Sequence, residues 1–435
     1  MIETKRHVTT LDNGITVLSE YAPHFNRAAV AVNVMAGGIH DPEGKEGLAH
    51  VLEHLIFRGS DTRSSADIQS AIQDLGGYIN GQTFLDRTTY SATIIREDIG
   101  KTLDLFADMI ARPRIDAADL DLEKKIVEDE NCRGCFNCSM NEAFFSAAYP
   151  DQILSRPIIG FEDTIRDLTV EDLKEFHRDF YVAANLTVAV CGDIEHDALV
   201  DMVERSFAAL PKGRPSTWPD FRYTGGDMHM GTRSEDAGVW LGFDFTDMDL
   251  DEKRAVDMFA DILGGHGQSL LMQELREKRG LVYHVSTETE TCARRDVLRV
   301  YLQGPSSSIR DICTLTIDTI RQAARSLAED EVDKARRRYH LGAKMSQDAL
   351  ESRVDDMITD ISDLGRVTDP AERYTRYQSM TAGDITAAAR KLLASSPTIA
   401  MSAPIRSAPK LSDLRARLTD EKSTSGFFGL LKRAG

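Results

Sequence analysis

Hydrophobic and polar positions divide the first half of the chain into strand-like and helix-like segments. Strands are predicted where β-branched and apolar residues cluster between turn signals, at residues 28–35, 88–95 and 186–191, and residues 9–21 are predicted to form a hairpin that turns at Asp12-Asn13-Gly14. Helices are predicted where apolar residues recur between helix start and stop signals, at residues 45–57 and 65–75, in three stretches between 97 and 149, and from 168 onward. This order of elements is typical of a protein that mixes helices and strands.

The second half of the chain repeats this layout. Thr169-Val-Glu-Asp-Leu has a counterpart 212 residues later in Thr381-Ala-Gly-Asp-Ile, and Thr187-Val-Ala-Val has one 211 residues later in Thr398-Ile-Ala-Met. Two offsets close to half the chain length indicate an internal duplication. A stretch rich in Pro, Gly and Ser between the halves is typical of a linker. We expect a first domain over 1–212, a linker over 213–228, a homologous second domain over 229–420 and a tail over 421–435.

The composition excludes several classes of protein. The 435 residues include 52 Lys and Arg against 70 Asp and Glu, a net charge of −18. This balance argues against a nucleic-acid partner, because nucleic-acid binding usually needs a basic face. No apolar run reaches the roughly 18–20 residues that span a membrane, and the N-terminus lacks the apolar stretch of a secretory signal. We therefore expect a soluble, cytoplasmic, two-domain protein whose six cysteines are thiols rather than disulfides.

The most informative segment is residues 47–57, Gly-Leu-Ala-His-Val-Leu-Glu-His-Leu-Ile-Phe, inside a predicted helix. His50 and His54 are four residues apart, so on a helix both imidazoles project from one face. Two neutral imidazoles so placed can bind one Zn²⁺ at about 2.0–2.1 Å each. Glu53 lies beside them, where it is placed to accept a proton from water at the metal. Histidine pairs at this spacing also occur without a metal, so the pair alone leaves a packing role open.

A hydrolytic zinc site needs three protein ligands and an open position, so a third ligand is expected elsewhere. Residues 123–130, Glu-Lys-Lys-Ile-Val-Glu-Asp-Glu, offer several carboxylates on a predicted helix. Such acidic runs are most often solvated helix faces. Spacing alone does not choose among these carboxylates.

These motifs resemble the insulinase/pitrilysin-type zinc peptidases, or inverzincins, the family that includes mitochondrial processing peptidase. Its members carry His-x-x-Glu-His and a zinc-binding Glu about 75 residues later. Glu130 lies 76 residues after His54, so the resemblance implies one Zn²⁺ per chain bound by His50, His54 and Glu130. It also implies that Glu53 is the general base and that Glu123, seven residues before Glu130, supports the site.

A second segment, residues 76–83, is similar to the family's Gly-Gly-x-x-Asn-Ala-x-Thr sequence. In relatives this segment is an edge strand to which an extended substrate peptide adds by backbone hydrogen bonds. The resemblance therefore assigns substrate binding to Asn80, Gly81, Gln82 and Thr83. Without the family, the glycine pair at 76–77 is simply a helix stop, and both readings can hold together.

A third segment, residues 273–283, is close to the family's Leu-Arg-Glu-Lys-Arg-Gly-Leu-Ala-Tyr sequence. Arg276 and Tyr283 match the Arg and Tyr that reach the substrate near zinc in relatives. A guanidinium and a phenol are suitable donors for a carbonyl that becomes an oxyanion. Without the family, Arg276 is a surface charge on a helix and Tyr283 a strand residue.

The resemblance implies an α+β fold of two homologous α/β sandwich domains, each a largely antiparallel sheet packed with helices, that close like a clam shell. It implies a zinc endopeptidase that cleaves short or unfolded peptides in a closed chamber. Chains of this length in the family pair as homodimers or as heterodimers with a sister chain, and the sequence leaves both open. The alternatives are the catalytic subunit of a heterodimer dedicated to one precursor peptide, a structural metal protein, and a non-catalytic scaffold subunit of the same fold.

Cys132, Cys135 and Cys138 follow the expected ligand Glu130 at three-residue spacing. Such spacing occurs in metal-cluster and redox motifs, but no fourth ligand stands at a familiar spacing. We interpret the three as packing or surface thiols, with a metal-binding, redox or lineage-specific role as the alternative.

Overall fold

A computed structural model describes residues 5–132, 136–406 and 408–419, without the side chains of 131, 132, 136–138 and 419. The side chains of Cys132, Cys135 and Cys138 and the tail over 421–435 lie outside the described residues, so what we expect of them stays a prediction. Two of the other cysteines, Cys191 and Cys313, are buried free thiols, as expected.

The described strands, in chain order, are β1 (Arg6–Thr10), β2 (Thr16–Tyr21), β3 (Arg27–Val34), β4 (Tyr78–Thr83), β5 (Thr88–Ile95), β6 (Leu186–Gly192), β7 (Gly226–Gly231), β8 (Asp236–Asp244), β9 (His284–Cys292), β10 (Arg295–Pro305) and β11 (Thr398–Ala403).

The described α-helices are α1 (Leu48–Ile56), α2 (Ser65–Asp74), α3 (Ile99–Ala111), α4 (Ala117–Cys132), α5 (Phe136–Ala148), α6 (Glu162–Asp167), α7 (Val170–Phe180), α8 (His196–Ser206), α9 (Leu250–Gly264), α10 (Ile309–Arg325), α11 (Glu329–Ser346), α12 (Leu350–Leu364), α13 (Pro370–Ser379), α14 (Ala382–Leu393) and α15 (Leu411–Thr419). Single 3₁₀ turns lie at Gly38–His40, Arg96–Asp98, Ile153–Ser155, Ala183–Asn185 and Ser306–Ser308, and a π-helical segment at Met272–Glu277. Within the described ranges, no helix has both the length and the apolar character needed to cross a membrane.

The chain divides into two compact units, and each is assembled from separate stretches of sequence. Unit 1 consists of Met1–Gly134, Arg156–Asp220 and Leu341–Arg373. Unit 2 consists of Cys135–Ser155, Phe221–His340 and Tyr374–Gly435. The passage from unit 1 to unit 2 at residues 220–221 lies inside the stretch expected to be a linker.

Unit 1 is built on a mixed sheet in which the described strands lie in the order β1-β2-β6-β3-β5-β4. β2 and β6 pair in parallel, and the other neighbours are antiparallel. β3 and β6 lie in the middle and are buried on both faces apart from Arg27, and their sequences are correspondingly almost all apolar. β5 lies nearer the end of the sheet and alternates buried and half-buried residues. β4 forms one edge of the sheet.

Helices cover both faces of the unit 1 sheet. One face packs against a large apolar core that includes residues of α1, α3, α7 and α8. The opposite face, which includes Leu18, Ala31 and Ala189, packs against α12. From α12 this smaller cluster receives Leu350, Val354, Met357 and Ile358. α12 comes from the second half of the sequence and covers one face of a sheet whose strands all come from the first half.

A buried ion-pair network joins α12 to the strands below it. Glu20 on β2 is fully buried, and its Oε1 accepts a hydrogen bond of 2.9 Å from Nε of Arg353 on α12. Its Oε2 accepts one of 2.8 Å from Nε of Arg6 on β1. Two guanidinium groups therefore neutralise one carboxylate that has no access to water.

Unit 2 repeats the topology of unit 1, which confirms the duplication predicted from the sequence. Its described strands lie in the order β7-β11-β8-β10-β9. β7 and β11 are parallel, as β2 and β6 are, and the remaining pairs are antiparallel. Thr169 and Thr381, the first residues of one predicted repeat, cap α7 and α14 in the same way, each accepting a hydrogen bond from the backbone N–H three residues later.

The repeat also includes an exchange of one helix between the units. α12 packs on unit 1, and its counterpart α5, from the first half of the sequence, packs on β7, β8 and β11 of unit 2. In unit 2 the Phe144 ring of α5 lies where a Cβ on Gly242 would be, 2.3 Å from the ring carbons. The domains expected over 1–212 and 229–420 are continuous ranges, whereas each unit includes one helix from the other half of the sequence. The mixed α/β fold with two sheets is confirmed, whereas the clam-shell arrangement stays a prediction.

Candidate metal centre and active site

The helix that carries the predicted zinc motif begins three residues later than expected. α1 starts at Leu48 because Gly47 has a φ of +93°, a left-handed conformation from which a helix does not continue. The Asp41 carboxylate accepts hydrogen bonds from the backbone N–H of Gly47 (2.8 Å) and of Ala49 (2.9 Å). Burial raises the pKa of Asp41 to about 8, although these hydrogen bonds oppose the rise. Asp41 therefore anchors the N-terminal end of α1.

The side chains of His50, His54 and Glu130 lie together. Nε2 of His50 is 3.9 Å from Oε2 of Glu130, and Nε2 of His54 is 4.0 Å from the same oxygen. One ligand atom of each side chain lies within 4.8 Å of those of the other two. The two imidazoles stand edge to face, with centroids 4.6 Å apart. α1 supplies both histidines because they are one turn apart, and α4 supplies the carboxylate.

These three side chains fit a zinc ion. Two imidazole nitrogens and one carboxylate oxygen are a ligand set of catalytic zinc sites, which leave a fourth position open. Ligand atoms at about 2.0–2.2 Å from one ion in a tetrahedral site lie roughly 3.3–3.6 Å from one another. The separations of the two histidine nitrogens from the Glu130 oxygen, 3.9 and 4.0 Å, exceed this range by a few tenths of an ångström, and the two histidine ligand atoms lie within 4.8 Å of each other. Small side-chain rotations therefore suffice to bring the ligands to a metal.

A hydrogen-bonded chain leads from His54 away from this cluster. Nδ1 of His54 lies 2.8 Å from Oε2 of Glu123, whose side chain is buried. Oε1 of Glu123 accepts a hydrogen bond from Nε of Arg58. An ionised carboxylate can only accept, so Glu123 keeps the proton of His54 on Nδ1 and leaves the lone pair of Nε2 toward Glu130.

The two histidines have different environments. Burial lowers the pKa of His50 to about 4, so this imidazole is neutral at physiological pH. Burial also acts to lower the pKa of His54, but the hydrogen bond to Glu123 and the charges of Glu53, Glu123 and Glu130 outweigh it and raise that pKa. In Glu123, burial acts to raise the pKa, and the hydrogen bonds from His54 and Arg58 reverse the effect and lower it.

Glu53 lies on α1 between the two histidines in sequence and is also buried. Its Oε2 accepts a hydrogen bond of 2.8 Å from the Thr83 hydroxyl at the end of β4. Burial raises the pKa of Glu53, and the hydrogen bond from Thr83 limits the rise. A Cβ on Gly81 would stand 2.6 Å from Oε1 of Glu53, so the glycine leaves room for this carboxylate.

β4 borders the cluster and a cavity beside it. Of the residues assigned to substrate binding, Asn80 and Gln82 are exposed on β4, Gly81 is half-buried, and Thr83 is buried and bonded to Glu53. The cavity has a volume of about 460 Å³ and lies among α1, α2, α4 and β4. Its lining includes apolar side chains together with polar and charged ones, Glu53, His54, Arg58, Gln69, Asn80 and Glu123 among them.

Arg276 and Tyr283 lie in unit 2 and are neighbours there. Arg276 belongs to the π-helical segment, and its Nη1 donates a hydrogen bond of 3.1 Å to the carbonyl oxygen of Tyr283. The Tyr283 backbone N–H donates to the carbonyl of Gln303, and the residue precedes β9, an edge strand of the second sheet. Tyr283 as a whole residue is 55% exposed.

Three contributors to the site were not found from the sequence. Asp41 caps α1, Arg58 binds Glu123, and Thr83 binds Glu53 rather than only bordering the substrate. Arg58 lies four residues after His54, a spacing that could have placed it on the same side of the helix. The role of Asp41 has no local signal, because it depends on the path of the loop before Gly47.

Comparison with known proteins adds the family context. Residues 16–161 match the model of the insulinase family (peptidase family M16), and residues 167–339 match the model described as the peptidase M16 inactive domain. The second match agrees with the sequence of the second half, which contains no His-x-x-Glu-His.

Individual relatives are similar over most of their length. The chain is 26% identical over 401 residues to an uncharacterized zinc protease of Rickettsia bellii, covering 92% of this chain and 97% of that protein. It is 31% identical over 343 residues to an uncharacterized zinc protease of Mycobacterium leprae, covering 77% of this chain and 76% of that one. Among solved structures, the crystal structure of a protease from Helicobacter pylori matches this chain with a TM-score of 0.84 and 20% sequence identity. The match covers 92% of this chain and 100% of that chain, and it shows that the two share a fold.

Proposed function

Because this chain belongs to the insulinase family (peptidase family M16), we propose that it is a zinc-dependent endopeptidase that cleaves short or unfolded peptides. The observation that carries the proposal is the convergence of His50, His54 and Glu130, with one ligand atom of each within 4.8 Å of the others. Glu53 adds a buried carboxylate on the same helix. A structural zinc site has no need of such a carboxylate, whereas a hydrolytic site does.

His50, His54 and Glu130 would hold the zinc ion, which when bound would polarise a peptide carbonyl and lower the pKa of water. Glu53 takes the proton of the attacking water and then donates it to the leaving amine. Burial supports both steps, because it raises the pKa of the carboxyl toward neutrality. The Thr83 hydroxyl holds one carboxylate oxygen in place.

Among the described strands, β4 pairs only with β5, and its other edge supports binding of an extended peptide. A peptide that adds to this edge pairs through its backbone, so many sequences can bind, but a folded substrate cannot. Asn80 and Gln82 are exposed along this strand and are available to the peptide. We extend the proposal to Arg276 and Tyr283, whose guanidinium and hydroxyl are donors of the kind that stabilise a developing oxyanion.

The test measures zinc and cleavage separately. The purified chain should bind one equivalent of zinc and cleave a library of quenched fluorescent peptides, and a chelator should abolish the cleavage. Glu53→Gln should retain the zinc and lose about 100–10,000-fold in kcat, the usual contribution of general acid–base catalysis. Tyr283→Phe should retain the zinc and lose about 100–1,000-fold in kcat, the usual effect of one missing oxyanion donor.

A scaffold or structural role makes the opposite prediction. The comparison is between the peptides cleaved by the wild type and those cleaved by Glu53→Gln. If the wild type binds zinc but cleaves nothing beyond what the variant cleaves, alone or mixed with a sister chain of the family, the chain is not a peptidase. Activity that appears only in the mixture would identify the catalytic subunit of a heterodimer.

A further inference from the structure

Arg58 forms an ion pair with Glu123 beside the candidate zinc ligands, and we propose that Arg58 is a positioning residue for the metal site. This role rests on the proposed function. Nε of Arg58 donates to Oε1 of Glu123, and Oε2 of Glu123 lies 2.8 Å from Nδ1 of His54. Arg58 thus acts on His54 through Glu123.

The burial of Glu123 explains why the site needs this cation. The Glu123 side chain is only 3% exposed, so the carboxylate cannot obtain its hydrogen bonds from bulk water. His54 is neutral when it binds a metal and then supplies one hydrogen bond but no charge. Among the described residues, Arg58 is the remaining ion-pair partner of Glu123. Because each oxygen of Glu123 has a donor, the carboxylate is held in one orientation. This orientation in turn fixes the orientation of the His54 imidazole.

The backbone of Arg58 is itself fixed. Its N–H donates to the carbonyl of Leu55 at 2.9 Å, just past the end of α1, and its carbonyl accepts a hydrogen bond of 3.2 Å from Nη2 of Arg114. The next residue, Gly59, has a φ of +154°, which allows the chain to turn away. The side chain can therefore lie back along the helix toward Glu123. A flexible surface arginine would not hold a buried carboxylate in this way.

The geometry also predicts how lysine would differ from arginine at this position. A lysine ammonium would keep the charge but would lose the planar group that meets Glu123 from a fixed direction. Arg58→Lys should therefore retain part of the effect, and Arg58→Met should lose all of it. The graded response separates positioning from the mere filling of space.

The experiment measures the zinc affinity of the metal-free protein by competition with a fluorescent chelator, together with the thermal midpoint Tm without zinc. Arg58→Met should bind zinc about 10–100-fold more weakly, the usual effect of changing an outer residue of a zinc site, and Arg58→Lys should lie between. The Tm of the metal-free Arg58→Met variant should fall, because Glu123 loses one partner of a buried ion pair, so the zinc affinities are compared at a temperature at which every variant is folded. Arg63→Met, a control from the same loop whose partner is Asp108, should leave the affinity unchanged.

A double-mutant cycle decides whether Arg58 acts through Glu123. In a Glu123→Gln background, Arg58→Met should have almost no further effect on zinc affinity. Independent, multiplicative losses would overturn the proposal, as would an Arg58→Met affinity equal to that of the wild type. Cleavage is measured in parallel. A wild type that binds zinc but cleaves nothing overturns the proposed function alone, whereas a wild type that binds no zinc overturns both.

Discussion

The Thr83 hydroxyl donates a hydrogen bond of 2.8 Å to Oε2 of Glu53, and both side chains are buried. This pair joins the edge strand β4 to the zinc-motif helix α1. Glu53 needs such a donor because burial disfavours its ionised form, and only that form can act as a base. The strand proposed to hold the peptide is thus also the strand that holds the proposed base.

Thr83→Val should shift the pH dependence of cleavage. The pKa of Glu53 is raised by burial and lowered by Thr83, so loss of the hydroxyl raises it further. The base works when deprotonated, so the acidic limb of kcat/KM should move to higher pH, by roughly 1–2 pH units for a hydrogen bond to a charged group. Zinc content should not change. Thr89→Val on β5, whose hydroxyl binds Asn33, is the matched control and should keep the wild-type profile.

Glu130→Gln should show that Glu130, and not one of its acidic neighbours, is the third zinc ligand. An amide is a much poorer zinc ligand than a carboxylate, so we expect a loss of zinc affinity greater than the about 10–100-fold typical of an outer residue. Glu128→Gln, on the same helix, should bind zinc as the wild type does. Equal losses in the two variants, measured by chelator competition, would mean that the acidic run attracts zinc only by its charge.

The zinc affinity of the metal-free protein should fall in acid with the pH dependence of a single competing proton. The pKa of His54 is raised above its usual 6.5, and burial lowers that of His50 to about 4. Between about pH 6 and pH 5, a proton competes with zinc for His54 only, so the affinity should fall about tenfold per pH unit. A hundredfold fall per unit in this range, measured by chelator competition, would show that both histidines titrate and would contradict the buried setting of His50.

Arg353→Met should destabilise unit 1 strongly. Glu20 has no exposure to water, and the change removes one of its two guanidinium partners. Loss of a partner from a buried pair costs about 3–5 kcal/mol, which should appear as a lower urea midpoint. Arg366→Met, which removes an exposed pair with Glu372, is the control and should cost less than about 1 kcal/mol.

A fragment containing residues 1–212 should not fold as a stable domain. It lacks α12, so the sheet face that includes Leu18, Ala31 and Ala189 would stay uncovered. It should bind a hydrophobic dye and aggregate, and a peptide of residues 341–373 added in trans should reduce both effects. A monomeric fragment that binds no dye would show that the helix is dispensable for unit 1.

Much of the candidate site follows from local sequence. Four-residue spacing placed His50 and His54 on one face of a helix, and the family resemblance selected Glu130 among several carboxylates. The start of α1 was predicted three residues early, because the left-handed conformation of Gly47, which keeps the helix from beginning before Leu48, is not visible in the sequence. Arg58 and Asp41 were missed because their roles depend on side chains that meet only in the folded chain.

The exchange of α5 and α12 had no signal in the sequence for a related reason. Each helix has an apolar face, and such a face specifies burial without specifying the sheet that covers it. Because the two sheets share one topology, either is a plausible partner for either helix. Specific contacts distinguish them, such as the ring of Phe144 against Gly242 and the buried pair of Arg353 with Glu20.

The exchange also determines when unit 1 can be completed during synthesis. Its last strand ends at Gly192, and α12 ends at Leu364, 172 residues later. At about 5–20 residues per second, a ribosome needs roughly 9–34 s to make this stretch. During this interval the newly made first half has one apolar sheet face without its cover. The unit that carries the candidate zinc ligands therefore reaches its final form only after most of the second half has been translated.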